Sequence, residues 1–119
     1  MKALFDSNIL IDFLQGNEAA REELNLYSAV AISRITWMEV LIGATTKTEE
    51  RLRLKFLAEF ETLELNAAVA HEAVELRRRR RLKLPDAIIL ASARVAQAIL
   101  VTRNHRDFFR NDPEVRIPY

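Results

Sequence analysis

Residues 1–14 read MKALFDSNILIDFL and contain a strand-like run, an acidic residue and a helix-like run in immediate succession. The run Lys2–Phe5 is short, apolar and contains an aromatic residue, which predicts a buried strand of the parallel type. Asp6 ends this strand, and Ser7 or Asn8 is expected to cap the helix that follows. A carboxylate at the carboxyl end of a parallel strand lies at the edge where open α/β sheets form ligand sites. We therefore predict a functional role for Asp6.

The rest of the chain alternates between strand-like and helix-like segments. Short apolar or alternating runs predict further strands over residues 27–32, 62–65, 98–102 and 115–117. Helical spacing and capping residues predict helices over residues 17–26, 34–44, 49–60, 67–82 and 85–97. This alternation predicts an α/β fold, a three-layer α/β/α sandwich around a short, mainly parallel sheet of about four to five strands. We expect residues 1–119 to form a single domain.

Composition excludes several classes of protein. The 119 residues are 50% hydrophobic and 29% charged, which is typical of a globular domain and not of a disordered chain. The absence of cysteine excludes disulfides, thiolate metal sites and a thiol nucleophile. We see no membrane-spanning run and no signal pattern, so we expect a cytoplasmic protein without membrane attachment. The formal net charge is +1, and binding to nucleic acid would therefore depend on local patches.

Glu39 is unusual because it lies in the most apolar predicted helix, between Met38 and Val40. Burial of a lone carboxylate is costly, so such a group normally has a partner or a cation. Alternatively, Glu39 reaches solvent on a narrow polar stripe with Arg34 or Thr36. The sequence favours a functional Glu39 over this second interpretation.

Two further acidic residues lie near predicted element ends. Asp86 follows Pro85 at the start of an apolar helix, where the helix dipole alone would favour an acid. Residues 102–104 end a strand, and Asp107 follows them, although a single acid there is more often a turn or cap residue. These groups converge with Asp6 if their strands are neighbours. Carboxylates without matching bases need a cation, and without Cys or a His pair the expected ion is Mg²⁺ or Mn²⁺.

Four motifs occur in order along the chain: FDSNILID at residues 5–12, TWMEVLIG at 36–43, LPDAIILASA at 84–93 and LVTRNHRDF at 100–108. They resemble the motifs of the PIN-domain family and, within it, of the VapC-type toxins of toxin–antitoxin pairs. Each motif is loose, but four in this order at the usual spacing are specific. The resemblance covers the whole chain.

The resemblance implies a Mg²⁺- or Mn²⁺-dependent endoribonuclease that cleaves RNA phosphodiester bonds with a metal-activated water. Asp6, Glu39 and Asp86 would be its catalytic acids, with Asp6 and Asp86 as direct metal ligands and Glu39 acting more through water. Many family members carry Asp at the position of Asn104, and an amide cannot act as a base. Asp107 is the nearest carboxylate and the candidate for the fourth catalytic acid, while Asn104 could instead coordinate a metal through its carbonyl oxygen. Residues expected to support the acids or to fix the adjoining loop are Ser7, Asn8, Thr102 and Asn104.

The resemblance also implies protein partners. VapC-like toxins usually form homodimers and are held inactive by a VapB-like antitoxin, an extended segment of which lies over the active-site groove. The predicted helix over residues 49–60 and the apolar side chains of the first helix offer more surface than a small sheet is expected to cover. Those side chains are Ile9, Leu10, Phe13 and Leu14.

Five consecutive arginines, followed by Lys83, end a predicted helix just before Asp86. Cations are favoured at the carboxyl end of a helix, which would make this run a solvated helix end. Beside a catalytic acid it could instead contact RNA phosphates. The candidate phosphate contacts are Arg77, Arg78, Arg79, Arg80, Arg81 and Arg103. His105 is a weaker candidate for an RNA contact, and Asp12 is expected to face solvent.

Two other interpretations stay open at this point. A catalytically weak or inactive PIN-fold module that only binds RNA would share the fold, and the amide at Asn104 is consistent with it. A receiver-like signalling domain also uses an acidic Mg²⁺ pocket on a parallel sheet. It would need a phosphorylatable Asp after the middle strand, whereas Asn66 follows Leu65 here.

Overall fold

A computed structural model describes residues 2–119, which form five strands and six helices. The strands are β1 (Lys2–Phe5), β2 (Ala29–Ser33), β3 (Glu61–Leu63), β4 (Ile99–Val101) and β5 (Val115–Arg116). The helices are α1 (Ser7–Leu14), α2 (Glu18–Asn25), α3 (Arg34–Ile42), α4 (Lys47–Leu57), α5 (Ala67–Arg80) and α6 (Leu84–Val95). The predicted elements are all present, with ends that differ by a few residues.

Strand β1 is the central strand of the sheet. The strand order is β3-β2-β1-β4-β5, and every neighbouring pair is parallel. Leu4 is paired with Ala31 on one side and with Leu100 on the other. The sheet extends past the end of β1, because the Asp6 amide donates a hydrogen bond to the Val101 carbonyl at 2.9 Å. The predicted proximity of Asp6 to the end of β4 is confirmed.

Helices cover both faces of the sheet, which confirms the predicted three-layer α/β/α sandwich. Side chains alternate along β1, so Leu4 packs with α5 and α6 while Ala3 and Phe5 pack on the opposite face. That second layer contains buried residues from α1 to α4, among them Ile9 and Leu10. Both are fully buried, so the prediction that they contribute to a partner surface is wrong.

The cap of α1 differs from the prediction. Asp6 itself is the N-cap, and its Oδ1 accepts a hydrogen bond from the Ser7 amide at 2.8 Å. Ser7 and Asn8 are the first two helical residues, and they project from the amino end of α1 beside Asp6. The cap residue and the strand-end acid are thus the same carboxylate, which fixes the orientation of Asp6 relative to α1.

Helix α3 is not buried on all sides, although its sequence is nearly all apolar. Met38 is 40% exposed and Ile42 is 80% exposed, while Thr36 and Val40 are fully buried. One face of this helix therefore presents apolar side chains to solvent. None of the helices formed by residues 2–119 has the length and apolar character that a membrane crossing requires.

Candidate active site

Asp6 is a buried acid whose two carboxylate oxygens are both hydrogen-bonded. Only 4% of the residue is exposed. The Thr102 hydroxyl donates to Oδ2 at 2.8 Å, and the Ser7 amide donates to Oδ1. Burial raises the pKa of Asp6, and the hydrogen bonds from Thr102 and Ser7 oppose this shift. Among residues 2–119 no basic group forms an ion pair with Asp6.

Glu39 adjoins Asp6 through the side chain of Ser7. The Ser7 hydroxyl donates to Glu39 Oε1 at 3.0 Å and lies 3.5 Å from Asp6 Oδ1. The interpretation of Glu39 as a buried charge is wrong, because the residue is exposed at the surface. Its carboxyl group is nonetheless crowded by protein, which raises the pKa of Glu39, and the charge on Asp6 raises it further. Glu39 therefore faces both solvent and the buried acid.

The pKa of Asp86, which lies in the first turn of α6, is raised by burial and by all the other acids of the site. Its pKa is raised to about 6, first by burial, then by the charges on Asp6 and Asp107, a hydrogen bond to Asp107 and the charge on Glu39. The pKa of Asp107 is lowered, mainly by a hydrogen bond from Asn104. Asp86 and Asp107 thus titrate as a pair in which Asp86 holds the proton. The four predicted catalytic acids are electrostatic neighbours at one edge of the sheet.

Asn104 supports Asp107 with both ends of its amide. Asn104 Nδ2 donates to Asp107 Oδ2 at 2.9 Å, and Asn104 Oδ1 accepts from the Asp107 amide at 3.3 Å. The backbone amide of Asn104 donates to the Thr102 hydroxyl oxygen at 3.0 Å, and Asn8 Nδ2 lies 3.3 Å from the same oxygen. Thr102 therefore couples the loop after β4 to Asp6, and the arrangement favours Asp107 as the fourth acid.

The four carboxylates do not form a closed ligand cage. Within residues 2–119, no three Asp, Glu, His or Cys side chains are close enough together to bind one metal ion. Mutual repulsion favours such spacing when no cation lies between the acids. The other well-buried acid, Glu23, has a basic partner in Arg116 at 2.9 Å, whereas in the described part of the chain none of the site acids forms an ion pair. Oxygen donors with excess negative charge fit a hard divalent cation.

The arginine run does not form a single patch. Arg78 and Arg79 each lie 3.5 Å from Glu75 on the same helix. Arg80 forms an ion pair with Asp112, which lies outside α5, with Nη1 2.7 Å from Asp112 Oδ2. Each of these three guanidinium groups lies within 3.5 Å of an acid, with Arg78 and Arg79 sharing Glu75, which supports the solvated-helix interpretation for them.

The two ends of the run differ from its middle. Arg77 is exposed on α5, on the helix and away from the acids that the middle arginines use. Arg81 follows the helix in a left-handed conformation, with φ of 56°, and lines a cavity of about 480 Å³ beside Asp107. Of the predicted phosphate contacts on this segment, Arg81 is the one that lies next to the acids without an acidic partner in the described chain.

Arg103 belongs to a network that the sequence did not predict. Its Nε donates to Asp12 Oδ2 at 2.8 Å, and the Tyr119 hydroxyl donates to the same oxygen at 2.7 Å. The expectation that Asp12 faces solvent is wrong. The Arg103 amide also donates to Asn8 Oδ1 at 3.1 Å, so this network ties α1, the loop after β4 and the last residue together. Arg103 and Tyr119 are 91 and 107 positions from Asp12 in the sequence, so no local pattern predicts these contacts.

Comparison with known proteins identifies the family. The chain belongs to the PIN-domain family, whose model matches residues 3–112. This result confirms the resemblance of the four motifs and shows that the receiver-like interpretation is wrong. No curated protein gives a significant match to the chain.

Solved structures of toxin–antitoxin complexes resemble the chain over nearly its full length. The toxin–antitoxin complex from Klebsiella pneumoniae contains a chain with 43% identity and a TM-score of 0.93, covering 98% of both chains. DNA-bound VapBC from Salmonella typhimurium matches with 27% identity and a TM-score of 0.77, covering 98% of this chain and 96% of the other. VapBC2 from Rickettsia felis, bound to a promoter DNA fragment, has the same fold at 23% identity, with a TM-score of 0.80 and coverage of 98% and 96%.

Replacement of Asp86 should reveal the electrostatic repulsion in the metal-free protein. Since the pKa of Asp86 is raised from 3.8 to about 6, folding favours its protonated form. Its stabilising contribution is therefore complete below the unfolded pKa and is lost as pH rises through the folded pKa. We expect Asp86→Asn to increase the free energy of unfolding by about 1 kcal/mol near neutral pH, with the gain shrinking toward pH values of about 4.

Urea unfolding in the presence of a chelator, at a series of pH values, measures this difference. Glu64→Gln is the matched control, because the hydrogen bond from Arg34 lowers the pKa of Glu64 and removal of that charge should not stabilise the protein. A stability difference between parent and Asp86→Asn that does not vary with pH would show that Asp86 is not repelled by its neighbours.

Proposed function

We propose that this chain is the toxin of a VapBC-type toxin–antitoxin pair and that it is a divalent-metal-dependent endoribonuclease. PIN-domain toxins of VapBC systems are nucleases that generally use divalent metals. The observation that carries the proposal is the convergence of four carboxylates, Asp6, Glu39, Asp86 and Asp107, at one edge of the sheet. Burial and the charges of the other three raise the pKa of Asp86, and within residues 2–119 none of the four forms an ion pair with a basic side chain. A chain that targets RNA would act in the cytoplasm.

The four acids would have different roles in metal binding. Asp6 and Asp86 would bind the ion directly, with Glu39 reaching it through water and Asp107 as the fourth acid. When bound, Mg²⁺ or Mn²⁺ would polarise the phosphate and lower the pKa of a bound water. Hydrogen bonds from Ser7 and Thr102 hold the Asp6 carboxylate in one orientation, which prepares its remaining lone pairs for a ligand.

Asp107 and Asp86 differ in their pKa shifts and therefore in their proposed roles. Asn104 keeps Asp107 ionised and fixes its carboxylate, so Asp107 can accept a hydrogen bond from a reacting group at neutral pH. Asp86, whose pKa is raised to about 6, holds a proton mainly below that pH. Cation binding would release this proton, so metal affinity should increase with pH.

Cleavage of RNA by the partner-free protein tests the proposal. Activity should require Mg²⁺ or Mn²⁺ and stop when a chelator is added. Asp86→Asn should abolish cleavage, whereas Glu18→Gln, which removes an exposed acid paired with Arg21, should leave it intact. Mg²⁺ at about 100 times its dissociation constant should stabilise the parent by roughly 2.7 kcal/mol and the Asn variant far less.

Two results would contradict the proposal. Cleavage that persists in the chelator would exclude the metal mechanism. RNA binding without cleavage at any metal concentration would favour the alternative, a PIN-fold module that binds RNA only.

An aromatic groove is the surface we assign to the antitoxin. Phe13 and Phe56 stack with ring centroids 5.3 Å apart, Phe60 packs edge-on against Phe56 at 5.1 Å, and Leu24 lines the same groove. Phe13 lies on α1, whose first residue is Ser7 of the acid site. An extended antitoxin segment seated on this groove could therefore follow α1 to the acids.

A different apolar surface is suited to a second copy of the chain. Trp37, Met38, Leu41 and Ile42 line a cavity of about 430 Å³ on α3. Ile42 is the most exposed large apolar residue of the described chain, at 80%. Because both copies would present the same patch, a symmetric pairing through α3 would bury it on each.

Substitution of Ile42 tests the homodimer. We expect the parent to be dimeric and Ile42→Lys to be monomeric, because a charge at the centre of the patch cannot be buried against a second copy. Light scattering coupled to size exclusion gives the mass. Leu26→Lys, at an apolar residue that is 64% exposed elsewhere, is the control and should stay dimeric. A monomeric parent, or a dimeric Ile42→Lys variant, would argue against this interface.

A further inference from the structure

We infer that the cavity beside Asp107 is a subsite for single-stranded RNA, in which Phe109 stacks an unpaired base while Arg81 and Arg106 bind the flanking phosphates. The inference rests on the proposed function, because it supplies the path by which the substrate of that site is held. It also narrows the prediction that arginines 77–81 bind phosphate to Arg81 alone. Arg106 and Phe109 are added to it, and the sequence did not single out either residue.

The cavity has the size and position of a nucleotide subsite. Its volume is about 480 Å³, within the range of roughly 300–1,000 Å³ that is typical of ligand pockets. It lies between the end of α5, at Arg80 and Arg81, and the loop of residues 106–109, with Leu82 between them. Asp107 belongs to its lining, so a group bound in the cavity lies directly beside the acid site.

Phe109 is an exposed aromatic ring at the mouth of this cavity. It is 70% exposed, whereas its neighbour Phe108 is 2% exposed and belongs to the core. This exposure leaves the Phe109 ring available for stacking, and the aromatic pairs of the described chain involve other rings. Bases stack on such rings irrespective of sequence. A base inside a duplex already has both faces covered, so this platform selects unpaired nucleotides.

Of the arginines that line this cavity, Arg80 is paired with Asp112, whereas Arg81 and Arg106 are not held in ion pairs within the described chain, although the charge of Arg106 acts on Asp107. Within residues 2–119 neither forms an ion pair, whereas Arg78, Arg79 and Arg80 all do. The left-handed conformation of Arg81 ends α5 and turns the chain toward the loop that carries Arg106. Two available guanidinium groups next to an exposed ring are the combination that proteins use to bind single strands.

A second polar cavity continues the path toward Asp6. It has a volume of about 340 Å³ and is lined by Asn8 and by residues 103–106. Arg106 lines both cavities, and the side chain of Asn8 lies 3.5 Å from Asp6 Oδ2. A strand that stacks on Phe109 would therefore run past Asp107 to the buried acid. The arginines of these cavities favour RNA over a protein segment, which the mainly apolar groove lined by Phe13, Phe56 and Phe60 suits better.

Binding measured without cleavage tests this subsite. Fluorescence anisotropy of a labelled single-stranded RNA of mixed sequence, with Asp86→Asn as the background and a chelator present, reports binding alone. Phe109→Ala and Phe109→Leu should weaken binding by roughly 5- to 150-fold, because both remove the stacking face, whereas Phe109→Trp should retain it. The same RNA annealed to its complement should bind weakly and should not respond to Phe109→Ala.

The arginines are tested by the salt dependence of the same binding. Replacement of Arg81 and Arg106 together with Gln should lower the slope of log K against log salt by about 1.4, since each phosphate contact on a single strand contributes about 0.7. The control is Arg78→Gln with Arg79→Gln, which removes equal charge outside the cavity and should leave the slope unchanged. Circular dichroism verifies that every variant is folded.

The possible results separate this inference from the proposed function. Weaker single-strand binding by Phe109→Ala in a protein that fails to cleave RNA would support the subsite and contradict the nuclease. Cleavage by the parent together with unchanged binding by Phe109→Ala would overturn the subsite alone. Equal losses for duplex and single strand, or loss of antitoxin binding in place of RNA binding, would also overturn it.

Discussion

A carboxylate that is removed from water and is not paired with a basic side chain of the described chain is the constraint on which this structure depends. Asp6 cannot move away, because β1 is held between β2 and β4 and because the Asp6 carboxylate is also the cap of α1. Hydrogen bonds from Ser7 and Thr102 compensate part of the desolvation. At the same edge, burial and the charges of Asp6, Asp107 and Glu39 raise the pKa of Asp86. Such an arrangement is unfavourable in the free protein and becomes favourable when a cation binds.

The acids at this edge differ in their partners from several acids elsewhere in the molecule. Glu23 is as buried as Asp6, but it accepts hydrogen bonds from the guanidinium of Arg116 and from Tyr27. Arg94 bridges two acids, Glu72 and Glu114. At the active site the supporting groups are instead hydroxyls and amides, from Ser7, Asn8, Thr102 and Asn104. Neutral donors orient a carboxylate without neutralising its charge, and in the proposed function they would therefore leave it free to bind a metal ion.

Much of the fold and the convergence of the four candidate acids could be predicted, because both depend on local patterns. The run Lys2–Phe5 followed by Asp6 and an apolar helix located the central strand and its acid, and four ordered motifs supplied the remaining acids. The errors arose where tertiary packing decides. The exposure of Glu39 and Ile42 depends on which face of an apolar helix meets the sheet. Asp12 binds residues that are distant in sequence. A run of arginines in the sequence did not reveal that Glu75 and Asp112 pair with its middle residues.

The claim that these acids form a metal site is tested most directly by diffraction from crystals grown with Mn²⁺. An anomalous difference map locates the ion without reference to catalysis or to stability. The account expects a peak between Asp6 and Asp86, with Glu39 reaching it through an ordered water and with Asp107 on the side of Asp86. Saturating Mn²⁺ that gives no peak at this edge, or a peak bound only by acids elsewhere, would contradict it.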